Sequence, residues 1–135
     1  MDIRVLSGST SAIVVPEGNH VKEAGVVRIN NSFQLMINGR YECENIQLYN
    51  GRLDIIAGKP YDSELKEPTM IFDVNGNSAS FIQVTRSGNI NFQGSYPIYI
   101  EAPNSTSRAV VNTGANMQIT IFRQRPLFAD NRGNA

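Results

Sequence analysis

The chain is poor in the residue types on which most catalytic and metal sites depend. Its 135 residues include one cysteine, one histidine and no tryptophan. A single cysteine excludes an intrachain disulfide and a cysteine-rich zinc site, and a single histidine leaves little scope for triad or metal chemistry. Basic and acidic residues number 12 each, so no basic field attracts nucleic acid. We therefore predict no enzymatic activity, no catalytic residues, no cofactor, no metal and no nucleic-acid partner.

Long apolar runs are also missing. The apolar stretches fall far short of the roughly 20 residues that span a bilayer, so we expect no membrane insertion. The first six residues, Met1 to Leu6, lack the basic and apolar regions of a signal peptide. These features predict synthesis in the cytoplasm. With 41% hydrophobic residues, the chain is long enough to form one globular domain.

Asparagine and glycine are abundant instead, with 15 and 11 residues respectively. Asn-Gly pairs favour the type I′ turn of β-hairpins. The three pairs and one further turn of similar kind are Asn38-Gly39, Asn50-Gly51, Asn75-Gly76 and Ser87-Gly88-Asn89. Apolar and polar residues alternate beside these turns, which indicates strands with one buried face. The pattern predicts tight antiparallel hairpins.

Further short apolar segments raise the total to about nine or ten strands, a number typical of a sandwich or barrel. Those outside the hairpins are Ala12 to Val15, Gly25 to Ile29, Ile98 to Glu101, Ala109 to Val111 and Met117 to Phe122. A short helical turn is possible only at Tyr61 to Glu67, with Asp62 or Ser63 as its cap. The turns are unevenly spaced, so we predict no repeat. Residues 1–122 are expected to form one all-β domain, an antiparallel β-sandwich.

Residues 123–135 form a predicted C-terminal arm after the last strand. The arm carries three arginines against one aspartate, and its Leu127 and Phe128 lie outside the strand pattern. Two interpretations stay open: a disordered tail with these two residues tucked against the domain, or an arm that docks on a neighbouring subunit. In the second, arginine forks bind carboxylates and a phenylalanine fills a pocket.

The candidate interface residues lie in two segments. The first is the arm, and the second is a possible edge strand near the N-terminus, to which a partner strand can add. The candidates are Arg123, Arg125, Leu127, Phe128, Ile3 and Val5.

The individual residues that could be catalytic or bind a metal are all better explained by ordinary structural roles. His20 lies in a polar, turn-like stretch and is predicted to be a surface residue. Cys43 lies between Glu42 and Glu44, whose charges raise a thiol pKa, so we expect a buried and unreactive cysteine. Residues 73–77 begin like a calcium loop, but the glycine and closing glutamate that the loop requires are absent. A hairpin turn is the better interpretation.

Residues 70–122 also carry a resemblance to a known family. The segments are Met70-Ile71-Phe72-Asp73-Val74-Asn75, Phe81-Ile82-Gln83-Val84-Thr85, Ser87-Gly88-Asn89-Ile90, Gln93-Gly94-Ser95-Tyr96-Pro97-Ile98-Tyr99-Ile100-Glu101-Ala102-Pro103 and Met117-Gln118-Ile119-Thr120-Ile121-Phe122. This order of strands and turns resembles the small jelly-roll virion proteins of bacteriophages, notably the penton-type vertex protein of tailless membrane-containing phages and related decoration proteins. The resemblance implies a jelly-roll sandwich.

The same resemblance implies a structural role in a virion. The expected function is that of a capsid vertex or decoration (cement) protein that stabilises the particle by protein–protein contacts. Its expected partners are the major capsid protein or other virion proteins and further copies of itself, on the capsid surface. The alternative is a receptor- or glycan-binding attachment module of a phage tail or spike. In that case a shallow site would be lined by tyrosines, of which the candidates are Tyr41, Tyr49, Tyr61, Tyr96 and Tyr99.

Overall fold

The structure, a computed structural model, describes residues 3–7, 12–23, 25–30, 32–48, 52–73, 82–84, 89–93, 96–101, 109–112, 120–121 and 127–129. Throughout these ranges the chain forms β-strands, turns and loops. In chain order the strands are β1 (Ile3–Ser7), β2 (Ala12–Val15), β3 (His20–Lys22), β4 (Val26–Asn30), β5 (Phe33–Ile37), β6 (Arg40–Cys43), β7 (Asn45–Leu48), β8 (Arg52–Ala57), β9 (Thr69–Phe72), β10 (Ile82–Val84), β11 (Asn89–Gln93), β12 (Ile98–Glu101), β13 (Ala109–Asn112), β14 (Thr120–Ile121) and β15 (Leu127–Ala129). No helix in the described ranges is long and apolar enough to cross a membrane.

The strands form three sheets, called A, B and C, and successive strands from β1 to β13 belong to them in that order. Sheet A has the order β1-β4-β7-β10-β13-β14, sheet B the order β11-β8-β5-β2, and sheet C the order β15-β12-β9-β6-β3. Each strand from β1 to β10 therefore pairs with the strand three places further along the chain. Leu35 of β5, for example, pairs in parallel with Ile55 of β8, about 20 residues later. The result is a parallel β-solenoid whose first four turns are β1–β3, β4–β6, β7–β9 and β10–β12.

The predicted antiparallel, jelly-roll-like sandwich is therefore wrong. Strands β5 and β6 flank Asn38-Gly39 but lie in sheets B and C, so this pair forms a corner of the solenoid and not a hairpin. Among the described strand pairs, only β13–β14 and β12–β15 are antiparallel. Alternation shows that one face of a strand is buried, but it does not show the direction of its partner. The predicted turns at 50–51, 75–76 and 87–88 lie outside the described residues.

The core lies inside the three sheets, where apolar side chains of successive turns stack in register. Val27 pairs with Ile46 in sheet A, and Tyr41 pairs with Met70 in sheet C. The fully buried large side chains are Tyr41, Phe33, Phe72, Ile29, Leu35, Ile37, Ile46, Leu48, Leu53, Ile55 and Met70. Burial of each Leu, Ile, Phe or Met side chain contributes about 1.5–3 kcal/mol. The polar residues between them point outward and form the faces of the solenoid.

The corner between sheets B and C is closely packed at the second turn. The amide of Gly39 donates to the Val15 carbonyl at 3.2 Å, and the amide of Arg40 donates to the Asn19 carbonyl at 2.9 Å. A Cβ atom on Gly39 would overlap the carbonyl oxygens of Pro16 and Asn19. Only glycine fits this corner without a shift of the backbone.

At the third turn the same corner carries an insertion, residues 58–68, which we call the corner loop. The carboxylate of Asp62 accepts the amides of Glu64 at 2.8 Å and Leu65 at 3.3 Å. Of the two predicted caps, Asp62 and Ser63, Asp62 accepts these hydrogen bonds; the segment forms a hydrogen-bonded turn rather than a helical one. The two hydrogen bonds satisfy amides that would otherwise lack partners, which fixes the shape of the loop.

The corner loop is fastened to the first turn by Glu67. This carboxylate is only 4% exposed. Its Oε2 accepts the amide of Gly18 at 2.9 Å, and its Oε1 lies 3.4 Å from Nζ of Lys59. Lys59 also lies 3.2 Å from the carboxylate of Glu17. These contacts tie residues of the third turn to residues of the first.

Replacement of Glu67 by Ala should destabilise the fold. It leaves the Gly18 amide without its acceptor and Lys59 without its buried partner, so we expect a loss of about 1–3 kcal/mol in the free energy of unfolding. The matched control is Glu64→Ala in the same loop, where the side chain is exposed and a change within about 0.5 kcal/mol is expected. Urea unfolding followed by far-ultraviolet circular dichroism measures both. Equal stability of the two variants would contradict the fastening role of Glu67.

Candidate functional site

The four predicted interface residues that the structure describes lie in two separate strands of the solenoid. Ile3 and Val5 belong to β1, the outermost strand of sheet A in the first turn. Leu127 and Phe128 belong to β15, which pairs with β12 at the other end of sheet C. Arg123 and Arg125 lie outside the described residues. The structure thus brings three residues of the predicted arm into a sheet of its own chain, and docking on a partner stays a prediction.

The outer face of sheet C carries a pair of stacked tyrosines. Tyr99 lies in β12 between the inward-facing Ile98 and Ile100. Tyr61 comes from the corner loop, and the two ring centroids are 4.4 Å apart with the planes tilted by 32°. Both rings are half-buried. Since each ring keeps part of its surface in contact with solvent, the pair forms an aromatic platform on this face.

Charged groups flank the platform on two sides. Thr69 of β9 pairs with Arg40 of β6 on one side and with Tyr99 of β12 on the other. Arg40 and Tyr99 therefore lie at the same level of sheet C, two strands apart. Glu101 lies two residues beyond Tyr99 on β12, on the same face of the strand. We call Tyr61, Tyr99, Arg40 and Glu101 the tyrosine site. It combines two aromatic rings with one hydrogen-bond donor group and one acceptor group.

The phenol groups of the tyrosine site are held in their protonated form. Burial raises the pKa of Tyr61, and the neighbouring Tyr99 and Glu101 raise it further. Burial also raises the pKa of Tyr99, again with a contribution from Glu101. Both hydroxyl groups are therefore hydrogen-bond donors at neutral pH.

Arg40 has a hydrogen-bond donor that is not paired within the described residues. Its Nε atom is buried and, among the described residues, has no hydrogen-bond partner. A buried polar atom without a partner is uncommon and calls for an explanation. Thr69, the strand neighbour of Arg40, is fully buried, and its hydroxyl donates to the carbonyl of Lys66 in the corner loop. The loop thus lies against the same part of sheet C.

A second charged group lies further along the outer face of sheet C, at the first two turns. Nε2 of His20 is 2.8 Å from the carboxylate of Glu42, and Nζ of Lys22 is 3.5 Å from the same group. His20 is exposed, which confirms its prediction as a surface residue, although it lies in strand β3. Lys22 and Glu42 form an ordinary surface ion pair of small energetic weight, and His20 adds a hydrogen bond to the same carboxylate.

Cys43 is buried in the core at the end of β6. Burial raises the pKa of its thiol, and the charges of Glu23, Glu42 and Glu44 raise it further. The predicted burial of Cys43 is confirmed, and burial contributes more to the raised pKa than the flanking carboxylates; its low reactivity stays a prediction. In the described ranges, no three or more His, Cys, Asp and Glu side chains come together as metal ligands would.

The outer face of sheet B carries an apolar strip that the sequence analysis missed. Val14, Met36 and Ile56 occupy one register position on three neighbouring strands. Val14 is 56% exposed, and the other two are partly exposed. We call these three residues the apolar column. The signal in the sequence was the unbroken apolar segment of β2, which places apolar residues on both faces of that strand.

Polar groups lie beside the apolar column on β8 and β11. The guanidinium of Arg52 binds the carboxylate of Asp54 at 2.7 and 3.3 Å. The amide of Asn91 donates to the same carboxylate at 3.4 Å. A strip of apolar residues with a polar border is the usual composition of a protein interface.

Comparison with protein-family models, curated proteins and solved structures finds no match for this chain.

The raised pKa of Cys43 should make stability fall at alkaline pH. Above the ordinary thiol pKa of 9.0, the unfolded chain releases the thiol proton and the folded chain retains it. The unfolded state is then favoured, so the free energy of unfolding should drop by up to about 1.4 kcal/mol per pH unit from this group alone.

The control is Cys43→Ala, in which this contribution is absent and the titration of the tyrosines remains. Urea unfolding at a series of pH values from about 8 to 10 compares the two proteins. The wild type should lose stability more steeply than the variant. Parallel pH dependence would show that Cys43 titrates normally in the folded protein.

Proposed function

We propose that the chain is a structural protein of a bacteriophage virion, a decoration or vertex component that acts through contacts with capsid proteins. The virion part of the proposal is supported by the sequence resemblance of residues 70–122. The jelly roll implied by that resemblance is wrong, so the binding surfaces are the outer faces of a solenoid. The single observation that supports protein binding is the apolar column of sheet B.

The apolar column has the properties of a contact surface. Neighbouring strands lie about 4.8 Å apart, so its three side chains form a strip about 10 Å long across the solenoid. Val14 at one end is largely exposed, and contact with a partner would remove its apolar surface from water. Contiguous exposed apolar surface on a soluble protein typically marks an interaction site.

Strand β1 offers a second type of contact. Within the described part of the chain it pairs only with β4, so its other edge carries peptide groups available to a partner strand. Ile3 and Val5, two of the predicted interface residues, lie on this strand. An added strand gains main-chain hydrogen bonds, and alternate side chains then set specificity. Either a capsid protein or a second copy of this chain can supply it.

The proposal is tested by the position and copy number of the chain in a reconstruction of the intact particle. A structural component should occupy sites related by the particle symmetry, with sheet B or strand β1 against a neighbouring protein. Absence of the chain from purified particles would refute the virion role.

Introduction of charge into the apolar column should weaken attachment to the particle. Val14→Lys places an ammonium group in the proposed contact, and the expected effect is a loss of about 1–3 kcal/mol, or roughly fivefold to 150-fold in affinity. Stability should change little, because Val14 is exposed. Quantitative mass spectrometry of purified particles measures the occupancy.

The matched control is Ser63→Lys, which adds the same charge at an exposed position of the corner loop, outside the outer face of sheet B. Its occupancy should equal that of the wild type. Equal occupancy of both variants would mean that the apolar column does not contact the particle.

A further inference from the structure

We propose that the tyrosine site binds a neutral pyranose unit of a glycan. This inference is independent of the protein contacts proposed above, because the tyrosine site lies on sheet C and the apolar column on sheet B.

The aromatic platform supplies the apolar part of such a site. Pyranose rings present a face of C–H groups, which packs against an aromatic ring and gains contact area at small entropic cost. Tyr61 and Tyr99 stack at 4.4 Å and are half-buried, so their positions are fixed before any ligand arrives. Preorganised rings lose little freedom on binding, which favours affinity.

The charged groups supply the polar part. Sugar hydroxyl groups both donate and accept hydrogen bonds. Arg40 provides guanidinium donors, and Glu101 provides acceptors. Arg40 and Glu101 both act electrostatically on Tyr61, so both charged groups lie close to the aromatic platform. Vicinal hydroxyl groups fit a planar guanidinium or carboxylate through paired hydrogen bonds.

The corner loop determines whether this site exists. It delivers Tyr61 to the outer face of sheet C and is held there by Glu67, whose carboxylate accepts the amide of Gly18 at 2.9 Å. At the second turn the same corner is only Asn38-Gly39, and no aromatic residue extends from it. The platform is therefore a product of the insertion in the third turn.

The chemistry of the site disfavours two other ligands that use aromatic platforms. Single-stranded nucleic acid stacks on such rings, but its phosphates require basic neighbours, and Glu101 repels them. Proline-rich peptides dock on aromatic grooves, but their prolines lack N–H donors, so Glu101 would lose water without gaining a hydrogen bond. A saccharide satisfies both Arg40 and Glu101.

The first experiment is a printed array of neutral oligosaccharides built from hexose and N-acetylhexosamine units, probed with the whole chain. Methyl glycosides of the same sugars are then titrated while tyrosine emission is recorded, since the chain has no tryptophan to mask it. We expect binding on the array and a saturable change in emission. Silence of the folded wild type in both measurements would overturn the proposal.

Tyrosine substitutions test whether the saccharide binds at the tyrosine site. Tyr99→Ala should weaken saccharide binding roughly threefold to tenfold through the lost stacking. The matched control is Tyr96→Ala, which removes an exposed tyrosine outside the stacked pair and should leave binding unchanged. If Tyr99→Ala fails to fold, Tyr61→Ala in the corner loop serves in its place. Equal affinities of the platform and control variants would refute the assignment to this site.

Arg40→Lys tests the polar part, because it keeps the charge and removes the planar fork. Binding should weaken severalfold while the melting temperature stays close to that of the wild type. Fluorescence anisotropy with labelled oligothymidine and a labelled polyproline peptide completes the comparison. Tighter binding of either probe than of every saccharide would show that the platform serves that other ligand class.

Discussion

The structure depends on the stacking of apolar side chains between successive turns. One turn of three strands cannot enclose an interior by itself, so each turn needs a neighbour in register. Pairs such as Ile29 with Leu48, and Leu35 with Ile55, meet this need on different sheets. Since the interior is filled in this way, the outward-facing residues are free to serve other purposes. The apolar column and the tyrosine site both occupy such outward positions.

Much of the strand content could be predicted from the sequence, but the pairing could not. The strand at Ala12–Val15 was located to the residue, and others were located to within a few positions. Alternation reports which face is buried, and the same alternation suits parallel and antiparallel sheets when one face meets water. The repeat was hidden because its length varies: Val27 pairs with Ile46, but Ile46 pairs with Ile82. Insertions account for the longer of these two spacings, and they obscure the regular period of the repeat.

The candidate sites were predictable only in part, for a related reason. Tyr61 and Tyr99 were named as possible members of a shallow site, but Tyr41, named with them, is buried in the core. The contribution of Arg40 follows from register between β6, β9 and β12, which no local pattern reveals. The direction in which the pKa of Cys43 shifts was predictable from Glu42 and Glu44, which are adjacent in sequence, but burial and Glu23 contribute more to that shift. Contacts between sequence neighbours can be predicted in this way, whereas contacts between turns can be recognised only in the folded structure.

The fastening of the corner loop has a consequence for how the solenoid comes apart. In an array held together only by adjacent repeats, the terminal repeat frays first and the others follow one at a time. Here Glu67 and Lys59 of the third turn hold Gly18 and Glu17 of the first, and bypass the second. The first turn cannot peel away without release of the third. The amide hydrogens of these three turns should therefore exchange with solvent as one cooperative unit, and not turn by turn.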